Sequence, residues 1–169
     1  RNDFLVKVKN LTMDKGLILI FDECTSGFRQ SFGGIHKVYN VEPDIAVFGK
    51  AMGNGYGITS IIGKRDIMQS AQDTFISSTF WTERIGPTAA LKTLEVMEKM
   101  SSWEMVTKIG EKVSKSWKKL AEKYELPIKL FGIPALKSFN IESPYSMHYK
   151  TLISQEMLSR GFLASNSMY

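Results

Sequence analysis

Short apolar runs alternate with longer amphipathic segments along this chain of 169 residues, and this alternation restricts its fold more than any other feature. Runs of five and four consecutive apolar residues, at 17–21 and 45–48, are typical of strands buried on both faces of a sheet. The longer segments repeat apolar residues every three or four positions, which is the period of an amphipathic helix. Strands that alternate with helices in this way predict an α/β fold.

The predicted elements fall into two groups. Residues 1–100 are predicted to contain strands at 17–21, 45–48 and 58–62, loops at 25–34 and 53–57, short helices at 36–40 and 66–71, an extended segment at 74–80 and a long helix at 82–100. Residues 101–169 are predicted to contain an amphipathic helix at 103–124, one or two strands within 131–141, a helix at 148–160 ended by Gly161, and a strand at 162–164. This order predicts a larger α/β part at 1–100 and a smaller α+β unit at 101–169.

The densest basic stretch of the chain, residues 108–123, coincides with the helix predicted at 103–124. Its apolar residues recur every three or four positions, and its lysines fall mostly between them. The formal net charge of the whole chain is only +5. We therefore interpret the lysines as the solvated face of a helix, and we expect no nucleic-acid partner.

Composition excludes several classes of protein. Hydrophobic residues make up 43% and charged residues 23% of the chain, values that exclude intrinsic disorder. The longest apolar run has five residues, far fewer than the roughly 20 that a membrane-spanning helix needs. The single cysteine cannot form an intrachain disulfide and no signal peptide opens the sequence, so we expect a cytoplasmic location and no membrane partner. Because the sequence starts at Arg1 rather than at a methionine, we expect it to be a fragment of a longer protein.

Each of the two best-defined strands is followed by an ionisable residue. Asp22 follows the run at 17–21, and Lys50 follows the run at 45–48 after one glycine. If the strands share a sheet, we expect the carboxylate and the amine to open into one pocket, at the edge where ligands gather in α/β folds. We expect a lysine directly after this buried run to be partly desolvated, and burial favours its neutral form, which can attack a carbonyl to form a Schiff base. A carboxylate at a strand end can pair with a pyridinium nitrogen. The alternative, which the pattern alone favours, is a salt bridge between two strand ends.

The run at 17–21 followed by Asp22 and Glu23 also matches the Walker B strand of a P-loop ATPase. In such an enzyme the Asp helps to hold magnesium and the Glu orients the attacking water. A phosphate loop of the form G-x-x-x-x-G-K-[ST] is also required. Here Lys50 is followed by Ala51 and no glycine stands five positions before Gly49, so the sequence contains no such loop. An ATPase therefore stays open only if the loop precedes Arg1.

Four short motifs occur in order along the first eighty residues: FDECTSGFR at 21–29, PD at 43–44, GKAMGNG at 49–55 and STF at 78–80. In this order and at these separations they resemble the class III aminotransferases, which are pyridoxal-phosphate-dependent enzymes of fold type I. The Gly-Phe-Arg at 27–29 is similar to the glutamate-1-semialdehyde aminomutase-like branch. The resemblance implies the second half of the large cofactor-binding domain, at 1–100, followed by part of the α+β C-terminal small domain, at 101–169.

The resemblance implies a role for each matching residue. Lys50 would form the Schiff base with pyridoxal 5′-phosphate and, once a substrate amine has released it, would move a proton between substrate and cofactor. Asp22 would pair with the pyridine nitrogen. Thr79, with Ser78 beside it, would bind the cofactor phosphate, and in this family the threonine does so from the neighbouring subunit of a homodimer. The N-terminus of the helix predicted at 82–100 also suits an anion.

The implied function is amino-group transfer, by an aminotransferase or an aminomutase, with an amino-acid, amino-sugar or keto compound as substrate. Members of the family are more than twice as long as this chain. The part absent here would carry a phosphate loop and the aromatic residue that stacks on one face of the ring. We therefore expect these 169 residues alone to bind the cofactor poorly and to catalyse no transamination.

The sequence departs from the family at two places. Cys24 stands where the family usually has a valine against one face of the ring, and since cysteine behaves as a small apolar side chain we expect a looser ring contact and no nucleophilic role. After the STF motif, where many members continue with Gly-Gly-Asn-Pro, this chain has Trp-Thr-Glu-Arg at 81–84. We hypothesise that Trp81 or Arg84 contacts the substrate. The alternative is packing at a helix N-terminus, where the helix dipole favours Glu83.

The sequence also bears on metal binding and on a non-enzymatic alternative. The two histidines, His36 and His148, have no companions at metal-ligand spacing, so no metal site is predicted. A truncated fold type I module that serves only in interactions is the non-enzymatic alternative. The presence of Asp22, Lys50 and Thr79 argues against a degenerate module.

Overall fold

The computed structural model describes residues 3–80 and 82–163. The helices are α1 (Phe4–Asp14), α2 (Arg65–Met68), α3 (Ile85–Met100), α4 (Ser102–Lys123) and α5 (Ser146–Ser159), and the strands are β1 (Ile20–Asp22), β2 (Ile45–Phe48), β3 (Ser60–Gly63), β4 (Ile128–Phe131) and β5 (Ser138–Ile141). Short 3₁₀ turns occur at Ile35–Tyr39, Lys50–Met52, Gln69–Asp73 and Pro134–Leu136. The chain separates into two compact units, Arg1–Glu104 and Met105–Tyr169.

The first unit contains a three-stranded sheet in the order β1-β2-β3. β1 runs parallel to β2, with Asp22 opposite Val47, whereas β2 runs antiparallel to β3, with Phe48 opposite Ser60. Because β1 and β2 are parallel, the residues that follow them leave the sheet at the same edge. The mixed sheet with its helices confirms the predicted α/β class for this unit.

A small apolar core joins β2 to its surroundings. Alternate residues of β2, Ala46 and Phe48, are buried, and they pack with Met52 and with Ala90 of α3. Phe28 adds to this cluster, since its ring centroid lies 5.5 Å from that of Phe48. The core therefore holds together the end of β2, the loop that follows β1 and helix α3.

Asp44 connects three further segments of the first unit. Its Oδ1 accepts hydrogen bonds from Nζ of Lys64 at 2.6 Å and from Nζ of Lys9 at 3.1 Å, and its Oδ2 accepts one from the Leu19 N–H at 2.8 Å. Lys9 belongs to α1, Leu19 precedes β1 and Lys64 follows β3. The Lys64 ammonium above all, then the Leu19 amide and Lys9, hold the pKa of Asp44 far below its usual range.

β1 is shorter and more exposed than the apolar run at 17–21 predicts. Leu17, Ile18 and Ile20 are each more than half exposed, whereas Leu19 is buried. A strand is buried on both faces only when a layer of structure covers each face. The prediction of a fully buried strand was wrong for this chain, because its described residues leave most of this run uncovered.

The second unit is built on the hairpin of β4 and β5, which pair antiparallel. Trp117 of α4 packs edge-on against Phe139 of β5, with ring centroids 4.9 Å apart. Gly110 of α4 lies directly against the turn at Pro134–Leu136, where a Cβ atom on Gly110 would come 1.9 Å from the Pro134 carbonyl oxygen. The helix therefore approaches the hairpin so closely that Gly110 has no room for a side chain.

The predicted helices of the second half are present with small shifts at their ends. Those predicted at 82–100, 103–124 and 148–160 correspond to α3, α4 and α5. The segment predicted as one or two strands, at 131–141, contains the whole of β5 but only the last residue of β4. Gly161 follows α5 with φ of +83°, the left-handed conformation expected of a glycine at a helix end.

Some predictions for the chain's elements fail or lie outside the described residues. Phe162 and Leu163 do not belong to a strand, and Ala164 lies outside the described residues. Helix α1 was not predicted.

The lysines of α4 at 108, 112, 115, 118, 119 and 123 are exposed, as the interpretation of a solvated face requires. Ile109 and Leu120, on the apolar side of this helix, are also more than half exposed. No helix among residues 3–80 and 82–163 is both long and apolar enough to span a membrane.

Candidate active site

Asp22 and Lys50 lie at the ends of neighbouring strands. Asp22 is the last residue of β1, and Lys50 follows the end of β2 by two residues. Because β1 and β2 are parallel neighbours, both residues lie at the same edge of the sheet. Both side chains are exposed. The shared sheet on which the predicted chemistry depends is therefore present.

Asp22 and Lys50, which both lie among the described residues, do not form the salt bridge that the pattern alone favoured. Oδ1 of Asp22 accepts a hydrogen bond from the Cys24 N–H at 3.0 Å. Nζ of Lys50 donates a hydrogen bond to Oγ1 of Thr25 at 2.5 Å. The Asp22 carboxylate and the Lys50 amine are thus each held by a hydrogen bond to the loop that follows β1.

Close packing fixes the backbone on both sides of Lys50. Lys50 has φ of +44°, a left-handed conformation that is uncommon for a residue other than glycine and often occurs at functional sites. A Cβ atom on Gly49 would come 2.7 Å from Sγ of Cys24, so a side chain at this position would require Cys24 to move. Met52, two residues later, is buried in the core. The lysine therefore projects from an anchored turn, but its side chain is exposed, and the expectation of a partly desolvated lysine is wrong for this chain.

Glu23 is a residue whose importance the sequence analysis missed. It is 1% exposed, and its carboxylate accepts hydrogen bonds from Oγ of Ser26 at 2.5 Å, from the Ile35 N–H at 3.0 Å, and from both the N–H and Nδ1 of His36 at 3.0 Å. Successive residues of a strand point to opposite faces, so a solvent-facing Asp22 requires an inward-facing Glu23. That alternation was the signal in the sequence that could have identified it.

The electrostatics of Glu23 follow from these contacts. Burial by itself would raise the pKa of the Glu23 carboxyl, but the hydrogen bonds from Ser26, Ile35 and His36 together outweigh burial and lower that pKa. Glu23 is therefore an ionised, internally bonded group. Because both of its oxygens already accept internal hydrogen bonds, these contacts argue against a role for Glu23 in orienting a water molecule, which the ATPase alternative requires.

Ser78 and Thr79 lie in a segment that is exposed throughout. Residues 75–78 have no regular structure, Thr79 and Phe80 form part of a turn, and the exposed fractions of Phe75 and Phe80 are 96% and 75%. Oγ of Ser78 accepts a hydrogen bond from the Phe80 N–H at 3.3 Å. Among the described residues, no hydrogen bond joins Ser78 or Thr79 to Asp22 or Lys50. Binding of the cofactor phosphate by Ser78 and Thr79 stays a prediction.

The N-terminus of α3 is capped by the side chain of Glu83, which lies two residues before the helix. Oε1 of Glu83 accepts a hydrogen bond from the Ile85 N–H at 2.6 Å, and Oε2 accepts one from the Gly86 N–H at 3.1 Å. The expectation that the helix N-terminus is available to an anion is therefore wrong for these two amides, because a carboxylate already binds them. Arg84 is exposed beside this cap, and Trp81 lies outside the described residues.

A cavity of about 220 Å³ borders Asp22. Its lining includes Ile20, Ile35 and His36 but not Lys50. This cavity borders the carboxylate alone, so a pocket shared by Asp22 and Lys50 stays a prediction, supported by the sheet edge that the two residues share. Within the described parts of the chain, no group of three or more His, Cys, Asp and Glu side chains is arranged to hold a metal ion.

Comparison with known proteins places these features in context. The model of the class III aminotransferase family matches residues 1–167. A 3-aminobutyryl-CoA aminotransferase from Cloacimonas acidaminovorans is 37% identical over 150 residues, which are 88% of this chain and 36% of that protein. A glutamate-1-semialdehyde 2,1-aminomutase from Methanococcus maripaludis is 30% identical over 139 residues, which are 80% of this chain and 32% of that protein. The chain therefore spans about a third of the length of these relatives.

Solved structures support the fold. The pyridoxal phosphate internal aldimine form of the FumI protein from Sphingopyxis sp. MTA144 matches 99% of this chain and 41% of its own, with a TM-score of 0.92 and 20% identity. An ω-transaminase from Sphaerobacter thermophilus matches 99% of this chain and 42% of its own, with a TM-score of 0.89 and 18% identity. The predicted transaminase fold, represented here by a part of it, is confirmed.

Proposed function

This chain belongs to the class III aminotransferase family, and from that premise we propose that it is part of an enzyme that transfers amino groups with pyridoxal 5′-phosphate as cofactor. One observation carries the proposal: an exposed carboxylate, Asp22, and an exposed amine, Lys50, follow neighbouring parallel strands at one edge of the sheet. Because the chain spans about a third of its relatives' length, the activity is proposed for the full-length protein.

The residues present fit the chemistry of this cofactor. The Lys50 amine can hold the cofactor aldehyde as a Schiff base, and the Asp22 carboxylate can keep the ring nitrogen protonated. The two groups are not paired with each other, so neither has to break an ion pair in order to bind. When bound, the protonated cofactor supplies an electron sink for a carbanion at the substrate α-carbon.

The chain's own residues orient both groups. The Cys24 N–H holds one oxygen of Asp22, and this fixes the direction in which the carboxylate leaves β1. The anchored turn at Lys50–Met52 fixes the position from which the lysine side chain extends. In its neutral form, Nζ of Lys50 would accept the proton from the substrate α-carbon and deliver it to C4′ of the cofactor.

We propose that Thr79, with Ser78 beside it, binds the cofactor phosphate of the neighbouring subunit in a homodimer. The exposure of Thr79 and of the aromatic side chains at Phe75 and Phe80 supports this proposal, since large exposed apolar side chains are often covered by a partner. Because Glu83 binds the first free amides of α3, the phosphate would depend on hydroxyl groups rather than on those amides.

Three more residues are proposed to shape the site. The Cys24 sulfur packs against Gly49, directly before Lys50, and this supports the proposed apolar contact with the cofactor ring. For Trp81 and Arg84 we propose contact with the substrate, supported for Arg84 by its exposure at the start of α3. In the full-length enzyme, the Arg84→Ala and Trp81→Ala variants should raise KM for substrate, and an unchanged KM in both would contradict this assignment.

The proposed substrates are amino-acid, amino-sugar or keto compounds, and the relatives named above are an aminotransferase and an aminomutase. Incubation of the full-length enzyme with glutamate-1-semialdehyde alone tests amine migration within one molecule. A requirement for a separate keto acceptor would instead indicate transfer between two molecules.

We propose a cytoplasmic location, supported by the single cysteine, which leaves the chain without an intrachain disulfide.

The decisive experiment is covalent trapping on the full-length protein. After addition of pyridoxal phosphate and reduction with borohydride, mass spectrometry should find the label on Lys50. The label should be lost in Lys50→Ala and retained in Lys15→Ala, which removes an exposed lysine elsewhere in the same unit. A folded protein that carries no label on Lys50 would contradict the proposal, and binding of magnesium and ATP would then be tested for the ATPase alternative.

A further inference from the structure

We propose that Thr25 is a positioning residue for Lys50, an inference that rests on the proposed function. Nζ of Lys50 donates a hydrogen bond to Oγ1 of Thr25 at 2.5 Å, across 25 positions of sequence. The contact joins the loop after β1 to the turn after β2. It therefore links the two chain segments that carry the proposed carboxylate and amine.

The hydroxyl group of Thr25 has no part in the internal bonding of its own loop. Within that loop, Oγ of Ser26 donates to Oε2 of Glu23, and the Gly27 N–H donates to the Glu23 carbonyl oxygen at 2.8 Å. Among the described residues, the Thr25 side chain makes its hydrogen bond to Lys50 alone. Removal of this hydroxyl should therefore change the lysine more than the loop.

The position of Thr25 is nevertheless well fixed. On one side stands Glu23, which is buried and bound by four hydrogen bonds. On the other side stands Gly27, where a Cβ atom would come 2.7 Å from Cδ1 of the buried Phe48. Thr25 itself is exposed between these two anchors. An exposed hydroxyl on an anchored loop is well placed to orient a flexible lysine.

Orientation matters for bond formation by the amine. Donation of one N–H of the neutral Lys50 amine to Thr25 restricts rotation about the Cε–Nζ bond, so the nitrogen lone pair has a defined direction. In the reaction with an aldehyde, the nitrogen attacks the carbonyl carbon and a C=N bond replaces the C=O bond. The aldehyde oxygen leaves as water with the two protons of the amine. Thr25 should thus change the rate of this step and not the affinity that precedes it.

The test uses two variants of the full-length protein freed of cofactor. Thr25→Val has nearly the same shape without the hydroxyl, and Thr25→Ser keeps the hydroxyl. After mixing with saturating pyridoxal phosphate, borohydride trapping at increasing times measures the rate at which Lys50 becomes labelled. We expect Thr25→Val to label about fivefold more slowly than wild type, the effect of one hydrogen bond. Thr25→Ser should label within about twofold of wild type by the same argument.

Pyridoxamine phosphate is the matched probe, because it lacks the aldehyde and cannot bond to Lys50. Its dissociation constant should be the same in Thr25→Val and wild type, whereas a merely structural role would weaken its binding in the variant. An unchanged labelling rate in Thr25→Val, an equally slow Thr25→Ser, or weakened pyridoxamine phosphate binding in Thr25→Val would overturn this inference alone. Absence of label on Lys50 in the wild-type protein would overturn the proposed function and this inference with it.

Discussion

Nδ1 of His36 lies 3.0 Å from Oε1 of Glu23, and both side chains are almost completely buried. The same carboxylate binds the backbone amides of Ile35 and His36, so the 3₁₀ turn at Ile35–Tyr39 is fastened to the end of β1. Glu23 stands between Asp22 and Cys24 in the chain. The buried pair of Glu23 and His36 therefore fixes the direction in which the chain that carries the candidate site leaves β1.

The first prediction concerns Glu23→Gln in the full-length protein. An amide has one acceptor oxygen where the carboxylate has two, so at least one buried donor loses its partner. We expect the free energy of unfolding to fall by about 1–3 kcal/mol, measured by urea denaturation. The matched control is Glu42→Gln. Glu42 also lies near His36, with Oε2 3.9 Å from Nε2, but its side chain is 79% exposed, so its loss should change stability by less than about 0.5 kcal/mol. Equal effects of the two substitutions on the free energy of unfolding would contradict a stabilising role for the buried Glu23 carboxylate.

The second prediction is a pH dependence that arises at Asp44. Its pKa is lowered in the folded protein, chiefly by Lys64, so the charged carboxylate adds stability above the ordinary Asp value of 3.8. That contribution is lost as the pH falls from this value toward the folded pKa. Asp44→Asn should therefore cost about 1–2 kcal/mol at neutral pH. The difference from wild type should narrow below about pH 4.

Urea midpoints measured across this pH range check the prediction for Asp44. Asp73→Asn is the control, because Asp73 is exposed at the end of a short turn and its removal should leave the profile unchanged. A gap between Asp44→Asn and wild type that widens with acid would show that the carboxylate is not stabilising in its charged form.

The elements that the sequence predicted well are those in which local pattern and tertiary packing agree. Helix α4 repeats its apolar residues at the helical period, and Trp117 on that stripe meets Phe139 of the hairpin. Asp22 and Lys50 were located because strand ends are visible as apolar runs that stop at ionisable residues. The motifs also led to the correct family, because four of them in order are far more specific than any one.

The features that sequence missed depend on contacts between distant positions. The bonds from Glu23 to His36 and from Asp44 to Lys9 and Lys64 join residues that no local pattern relates. The exposure of Ile18 could not be foreseen either, because an apolar run predicts burial without saying which layers supply it. At the start of α3 the helical pattern extended the helix to residue 82, whereas the Glu83 cap starts it at Ile85.

The third prediction concerns that cap. Glu83→Ala removes the acceptor of the Ile85 and Gly86 amides and a negative charge at a helix N-terminus, so the free energy of unfolding should fall by about 1 kcal/mol. The comparison variant is Glu95→Ala in the same helix, which loses an exposed pair with Lys92 and should cost less than about 0.5 kcal/mol. If Glu83→Ala instead strengthened the binding of inorganic phosphate without loss of stability, the helix N-terminus would be an anion site after all.

The last prediction sets helix propensity against packing at Gly110. In an isolated helix, alanine in place of glycine would stabilise by about 1 kcal/mol. Here the new Cβ atom would come 1.9 Å from the oxygen and 2.4 Å from the carbon of the Pro134 carbonyl, and both are backbone atoms that cannot rotate away. The helix or the turn has to move, and such overpacking costs about 1–3 kcal/mol or more.

We therefore expect Gly110→Ala to be destabilised by about 2 kcal/mol, visible as a lower urea midpoint by circular dichroism. Gly57→Ala is the matched control, since its new Cβ atom would meet nothing within 4 Å and its φ is not in the left-handed region. It should unfold at the wild-type midpoint. A Gly110→Ala variant at least as stable as wild type would mean that helix propensity decides at this position and that α4 does not approach Pro134 so closely.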